Sequence, residues 1–127
     1  MKKQDLPLSP HLQIYKPQIT SLLSISHRIS GVALNFVLVI LVLGLLCITL
    51  GESYFELLIS LINSFPIKII IFLAILGFSY HFLNGIRHII WDFGFLLGNR
   101  SSAIFGYIII AISFISSIFI SRLLGLF

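Results

Sequence analysis

Charged side chains divide this sequence into long apolar runs. Twenty-three uncharged residues separate Arg28 from Glu52, eighteen separate Lys68 from Arg87, and twenty-one separate Arg100 from Arg122. His81 interrupts the middle run. Crossing the hydrocarbon core of a bilayer takes about 20 helical residues at roughly 1.5 Å of rise each. The runs therefore predict membrane helices near residues 29–50, 67–90 and 103–124. No alternation of period two is present, and an open sheet would leave backbone groups unpaired in lipid. The expected fold is all-α, an integral membrane protein with three transmembrane helices.

The remaining pieces are short. Residues 1–20 contain Pro7, Pro10 and Pro17, which predict an extended or turning arm before a transmembrane domain over 21–127. Thr20 or Ser21 is the expected N-cap, so the first helix begins in the interface before it enters lipid. The segment from Tyr54 to Phe65 is apolar with few polar breaks and suits a short helix lying on the membrane surface. His11 and Tyr15 in the arm are placed to dock on a partner. No extramembrane domain is expected, so any soluble chemistry must come from another chain.

Composition agrees with this class. The 127 residues are 58% hydrophobic and 9% charged, with a mean hydropathy of +1.13. A soluble domain carries about 25% charged residues. Eight basic and four acidic side chains cannot cover the surface of a compact soluble protein, and the apolar content excludes a disordered chain. The net charge is +4, but the basic residues occur singly or in pairs, which excludes a nucleic-acid surface. They read better as topology. Lys2, Lys3, Lys16 and Arg28 stand before or at the first span; Glu52 and Glu56 follow it; Arg87 and Arg100 flank the second connection. The excess of basic residues predicts a cytoplasmic N-terminus, with Lys68 and Arg122 snorkelling on the outer side. The single cysteine, Cys47, offers no internal disulfide or zinc spacing and is expected as a small buried hydrophobe. The segment Met1–Pro7 has neither a signal-peptide core nor transit-peptide character. The expectation is insertion without a cleaved presequence, in a bacterial inner membrane rather than a mitochondrial one.

Candidate chemistry is concentrated in two places. Gly77, His81, Gly85, His88 and Asp92 are spaced 4, 4, 3 and 4, which puts them on one stripe of the second span. Two readings are open. In one, His81 is an axial ligand to haem iron, the glycines let a flat macrocycle approach, and His88 and Asp92 meet its polar edge. In the other, the glycines only allow close helix packing and His81 hydrogen-bonds across that contact. His88 lies too far along the helix to bind the opposite side of the same iron, so a second histidine ligand would come from another subunit.

The other constellation is Ser24, His27, Arg28 and Gly31, spaced 3, 1 and 3 where the first span enters the membrane. Serine can donate to a quinone oxygen, and arginine can stabilise the negative charge that develops on reduction. The competing reading gives Arg28 to a lipid phosphate and Ser24 to capping. Arg28 and Arg87 fall near one membrane depth, where both could meet propionates. In the third span, Gly106, Tyr107, Ser113, Ser116 and Ser117 read as packing residues, and Trp91 and Tyr107 suit an aromatic belt. No P-loop, dinucleotide fingerprint, catalytic triad or carboxylate pair is found.

These residues also carry a family resemblance. The run Ser24-Ile25-Ser26-His27-Arg28-Ile29-Ser30-Gly31 resembles the first signature of the cytochrome b556 subunits of succinate dehydrogenase. The run from His81 through Asn84, Gly85, Arg87, His88, Trp91 and Asp92 to Gly94 resembles the second, and Leu8–Pro17 resembles the family's N-terminal arm. The family commonly has Arg-Pro near its start, where this chain has Leu6-Pro7. The resemblance implies a haem b membrane anchor of a four-subunit succinate:quinone oxidoreductase (complex II), with no catalysis of its own. Its partners would be a second small membrane anchor subunit, an iron–sulfur subunit and a flavoprotein subunit. By the same resemblance His81 is the axial haem ligand, with the opposite ligand from the second anchor. Ser24 and Arg28 line a ubiquinone pocket, and His27, Arg28 and His88 lie near the haem propionates. The alternatives are the anchor of a quinol:fumarate reductase, or a haem-free structural or transport subunit.

Overall fold

The computed structural model describes residues 16–127, and among them the chain forms four helices and no strand. They are α1 (Ile19–Thr49), α2 (Glu52–Asn63), α3 (Phe65–Asp92) and α4 (Asn99–Leu123). Helices α1, α3 and α4 are long and apolar enough to cross a membrane. Of the N-terminal arm, His11 and Tyr15 lie outside the described residues.

Helix boundaries follow local chemistry. Extended Gln18 is the N-cap of α1, ahead of the predicted Thr20 or Ser21, and its carbonyl accepts the amides of Ser21 and Leu22 at 3.0 and 3.1 Å. The helix therefore starts well before the uncharged run does. At the other end Gly51 has φ 117°, a conformation that side chains disfavour, and this turns α1 directly into α2. The short helix expected after the first span is α2, with Glu52 in its first turn facing the positive end of the helix dipole. Pro66 opens α3, where its missing amide hydrogen has no intrahelical partner to lose.

The interior is the reverse of a soluble protein's. Among the described residues the buried apolar side chains are Leu23, Ile109 and Leu126. The buried polar ones are Ser79, Asn84, Arg87, Ser102, Ser113, Ser117 and Ser121. Lipid tails solvate leucine as well as another helix does, so packing relies on small residues and hydrogen bonds. Helix α4 buries a stripe of Ser102, Gly106, Ile109, Ser113, Ser117 and Ser121. Ser113 satisfies its own hydroxyl by donating to the Ile109 carbonyl at 2.7 Å, one turn back. Gly106 presses on Leu23 of α1, and a Cβ there would overlap that side chain. Gly106, Ser113 and Ser117 are thus packing residues as expected, whereas Tyr107 is exposed. Cys47 is half-buried rather than buried, because the second half of α1 has little of this chain against it. Phe36, Leu38, Leu41 and Leu45 are all exposed along that stretch.

The path of the chain brings the start of α1, the end of α3 and the start of α4 to one end of the bundle. That end carries Lys16, Arg28, Arg87 and Arg100, while Glu52 and Glu56 lie on α2 at the other.

Candidate functional site

Helices α1 and α3 meet at two histidines. The rings of His27 and His81 stack with centroids 4.0 Å apart and planes 12° from parallel. Each ring also bonds to the other residue's backbone. His27 donates from Nε2 to the His81 carbonyl at 3.2 Å, and His81 Nδ1 lies 3.1 Å from the His27 carbonyl. A carbonyl oxygen only accepts, so both contacts require a proton on the nitrogen. Ser30, one turn beyond His27, brings its Oγ to 3.1 Å from the same Nδ1.

The close approach depends on Gly31. A Cβ there would lie 2.9 Å from His81 Cε1, nearer than real side chains come. The glycines of the α3 stripe, picked out by spacing, are looser. At Gly85 a Cβ would meet His27 Nε2 at an ordinary 3.8 Å, and at Gly77 it would meet nothing within 4 Å. The tight glycine is thus on the partner helix, not on the stripe that carries the histidine.

One side of His81 opens on a groove of about 370 Å³ between α1 and α3, lined by Gly31, Leu34, Asn35, Val37, Leu38, Leu41 and Phe78. With its proton on Nδ1, His81 keeps the Nε2 lone pair for a ligand. A neutral imidazole nitrogen in an apolar cleft is what an axial metal site requires. No cluster of three or more His, Cys, Asp or Glu suited to a metal occurs among the described residues.

The remaining candidates separate. His88 lies 5.2 Å from His27, and its ring meets Trp91 edge-on at 5.2 Å. Ser24 is half-buried and Arg28 exposed, one turn apart on α1. Arg28 heads a shallow apolar groove along Ile29, Val32, Ala33 and Phe36. Asp92 is exposed at the end of α3. Arg87 differs from expectation. It is fully buried and donates to the Ser102 carbonyl at 3.2 Å, to Ser102 Oγ at 2.9 Å and to Asn84 Oδ1 at 3.4 Å. Its guanidinium lies 4.0 Å above the Trp91 ring. Arg87 therefore clamps α3 to α4, with Trp91 as its platform. The Nε atoms of Arg87 and Trp91 are buried without acceptors.

Sequence reasoning missed three contributors. Tyr80 donates its hydroxyl to the Leu23 carbonyl at 2.8 Å, and Asn84 reaches the same carbonyl at 3.5 Å. Ser30 was the third. Its signal was its position, three residues after His27 and beside Gly31.

Fold and site together define a multi-span membrane protein with a stacked histidine pair between two helices and one long flank uncovered. The chain matches the model of the succinate dehydrogenase/fumarate reductase transmembrane subunit family over residues 2–120, and it belongs to that family. It is 44% identical over 107 residues to the succinate dehydrogenase cytochrome b556 subunit of Rickettsia typhi, covering 84% of this chain and 83% of the relative. It is 40% identical over 113 residues to the cytochrome b556 subunit of Rickettsia bellii, covering 88% and 87%. Similarity extends to the cytochrome b560 subunit of Marchantia polymorpha, at 45% over 101 residues and 75% and 73% coverage.

Proposed function

We propose that this chain is the cytochrome b membrane anchor of a succinate:quinone oxidoreductase. Through His81 it would hold haem b, and it would form part of a ubiquinone site and keep the iron–sulfur and flavoprotein subunits on the membrane. The observation that carries the reading is the state of His81. Its Nδ1 lies 3.1 Å from two oxygens, the His27 carbonyl and Ser30 Oγ, which favours a proton on Nδ1 and leaves Nε2 for a ligand, in a ring that lines the apolar groove. Haem b in that place supplies a one-electron carrier. His81 would hold the haem from this chain, and the second small membrane subunit would complete its site and cover the exposed apolar flank of α1.

The other residues divide the polar work. His27 commits its Nε2–H to the His81 carbonyl, so in its neutral form Nδ1 only accepts. Toward a propionate His27 donates only as a cation, and the permanent charge there belongs to Arg28. His88 lies on the same side, near the polar edge. Ser24 donates its hydroxyl to a quinone carbonyl, and Arg28 stabilises the negative charge that develops on that oxygen during reduction. Both stand at the basic end of the bundle, which the positive-inside rule assigns to the cytoplasm. The iron–sulfur subunit delivers electrons at that face. The Rickettsia relatives support a bacterial inner membrane. The matched family also includes fumarate reductase subunits, and the succinate dehydrogenase names of the relatives favour succinate oxidation.

A reduced-minus-oxidised optical spectrum of the purified complex tests the reading. A haem b signal that is lost or altered in His81→Leu is expected; no haem signal, or one unchanged by that substitution, refutes it. Ser24→Ala and Arg28→Ala are expected to abolish quinone reduction while succinate oxidation with a soluble artificial acceptor survives. Equal loss of both activities would make these residues part of assembly instead.

A further inference from the structure

We propose that Ser30 is a positioning residue for His81: its hydroxyl oxygen holds the Nδ1 proton and so fixes Nε2 as the nitrogen that meets the iron. The inference rests on His81 being the haem ligand and assigns the group that orients it.

Two acceptors surround His81 Nδ1 at 3.1 Å, the His27 carbonyl and Ser30 Oγ. They are not equivalent. The His27 carbonyl lies inside α1, where the helix directs the amide of Gly31 at it. It also accepts the Ser30 hydroxyl at 2.8 Å. A third donor from His81 would have to share its two lone pairs. Ser30 Oγ has given its own hydrogen to that carbonyl, so toward His81 it can only accept, and its lone pairs are available. The opposite tautomer would turn the Nδ1 lone pair toward two oxygens, neither offering a hydrogen in this arrangement. The neighbouring residue completes the cradle. Gly31 lets Cε1 come within 2.9 Å of where a Cβ would stand, so consecutive residues set the proton and the approach of one ring.

Such a partner has an electronic consequence. A hydrogen bond from the distal ring nitrogen to an acceptor makes the ligating nitrogen more basic and fixes the ring's orientation. The more basic nitrogen favours the more highly charged, oxidised metal. Losing the Ser30 oxygen should therefore move the haem reduction potential to more positive values and weaken haem retention by about tenfold.

The test uses the purified, assembled complex carrying Ser30→Ala, Ser30→Thr, Ser30→Cys or His81→Leu, followed by optical redox titration. A positive shift in Ser30→Ala that Ser30→Thr reverses is expected, since threonine keeps the hydroxyl. An unchanged or negative shift in Ser30→Ala overturns the proposal. If Ser30→Ala does not assemble, threonine and cysteine decide. A potential near the unsubstituted value for threonine and a positive shift for cysteine support it, and equal potentials overturn it. A haem spectrum unchanged in His81→Leu would sink the ligand assignment itself, an outcome read from a different variant.

Discussion

The contact between Gly106 and Leu23 makes a sharp test of how this bundle holds together. A methyl group added at Gly106 overlaps the end of the Leu23 side chain, which is 3% exposed and must shift to make room. Helix α1 cannot slip away freely, because the Leu23 carbonyl is held by the Tyr80 hydroxyl at 2.8 Å. Overpacking of this kind costs about 1–3 kcal/mol, and the overlap places it at the upper end. Breaking the Tyr80 bond to relieve it adds about 1 kcal/mol. Replacing a mid-helix glycine with alanine returns up to about 1 kcal/mol of helix propensity. The net expectation for Gly106→Ala is a loss of about 3 kcal/mol. Gly77→Ala isolates the propensity gain, since a Cβ there meets nothing within 4 Å. The assay is the temperature at which half of the detergent-purified complex dissociates on a native gel. Gly106→Ala should lower it and Gly77→Ala should leave it level or raise it. Adding Leu23→Val to Gly106→Ala should restore most of the loss, because the pair roughly conserves volume. Equal behaviour of the two alanine variants, or strict additivity of the double variant, would refute the steric argument.

Three further outcomes follow from other contacts. Arg87→Lys keeps the charge but loses the fork that joins Ser102 to Asn84, so the complex should lose about 2 kcal/mol in the same assay; full stability would mean the clamp is idle. Tyr80→Phe removes one bond to the Leu23 carbonyl and should cost about 1 kcal/mol, with an unchanged dissociation temperature counting against it. Gly31→Ala pushes on the His81 ring, whereas Gly85→Ala meets His27 at ordinary contact distance. The first should lower haem occupancy or alter the haem spectrum and the second should not; indistinguishable spectra would remove Gly31 from the site.

Helix positions were legible because charge is costly in lipid, so each long uncharged run had to be a span. The start of α1 was read a few residues late, with Thr20 or Ser21 expected as the cap that Gln18 forms. Its first turns, Ile19 to Arg28, contain Ser, His and Arg, and hydropathy alone cannot separate an interfacial helix from an arm. The packing face of α4 was half-legible. Gly106, Ser113 and Ser117 were read correctly from residue size, while Ser102 and Ser121 extend the same stripe and went unread. Small residues at helical spacing were the available signal.

Helix α3 shows why the histidine stripe was found and its neighbour was not. His81, Gly85, His88 and Asp92 repeat at intervals of 4, 3 and 4, and Tyr80, Asn84, Arg87 and Trp91 repeat at the same intervals one residue earlier. One stripe carries the imidazoles that meet His27 of α1. The other carries the groups that tie α3 to the Leu23 carbonyl and to Ser102. Residue type could not rank the two stripes, because both are polar and both are costly in a membrane. The difference lies in what each leaves open. Arg87 is fully buried and bonded inside the chain, so its charge serves the bundle. His81 has Nδ1 against two oxygens, and its ring lines an open groove. An ionisable group in a span points to a ligand when some of its bonding capacity remains free at a surface, and that requires coordinates for the neighbouring helix.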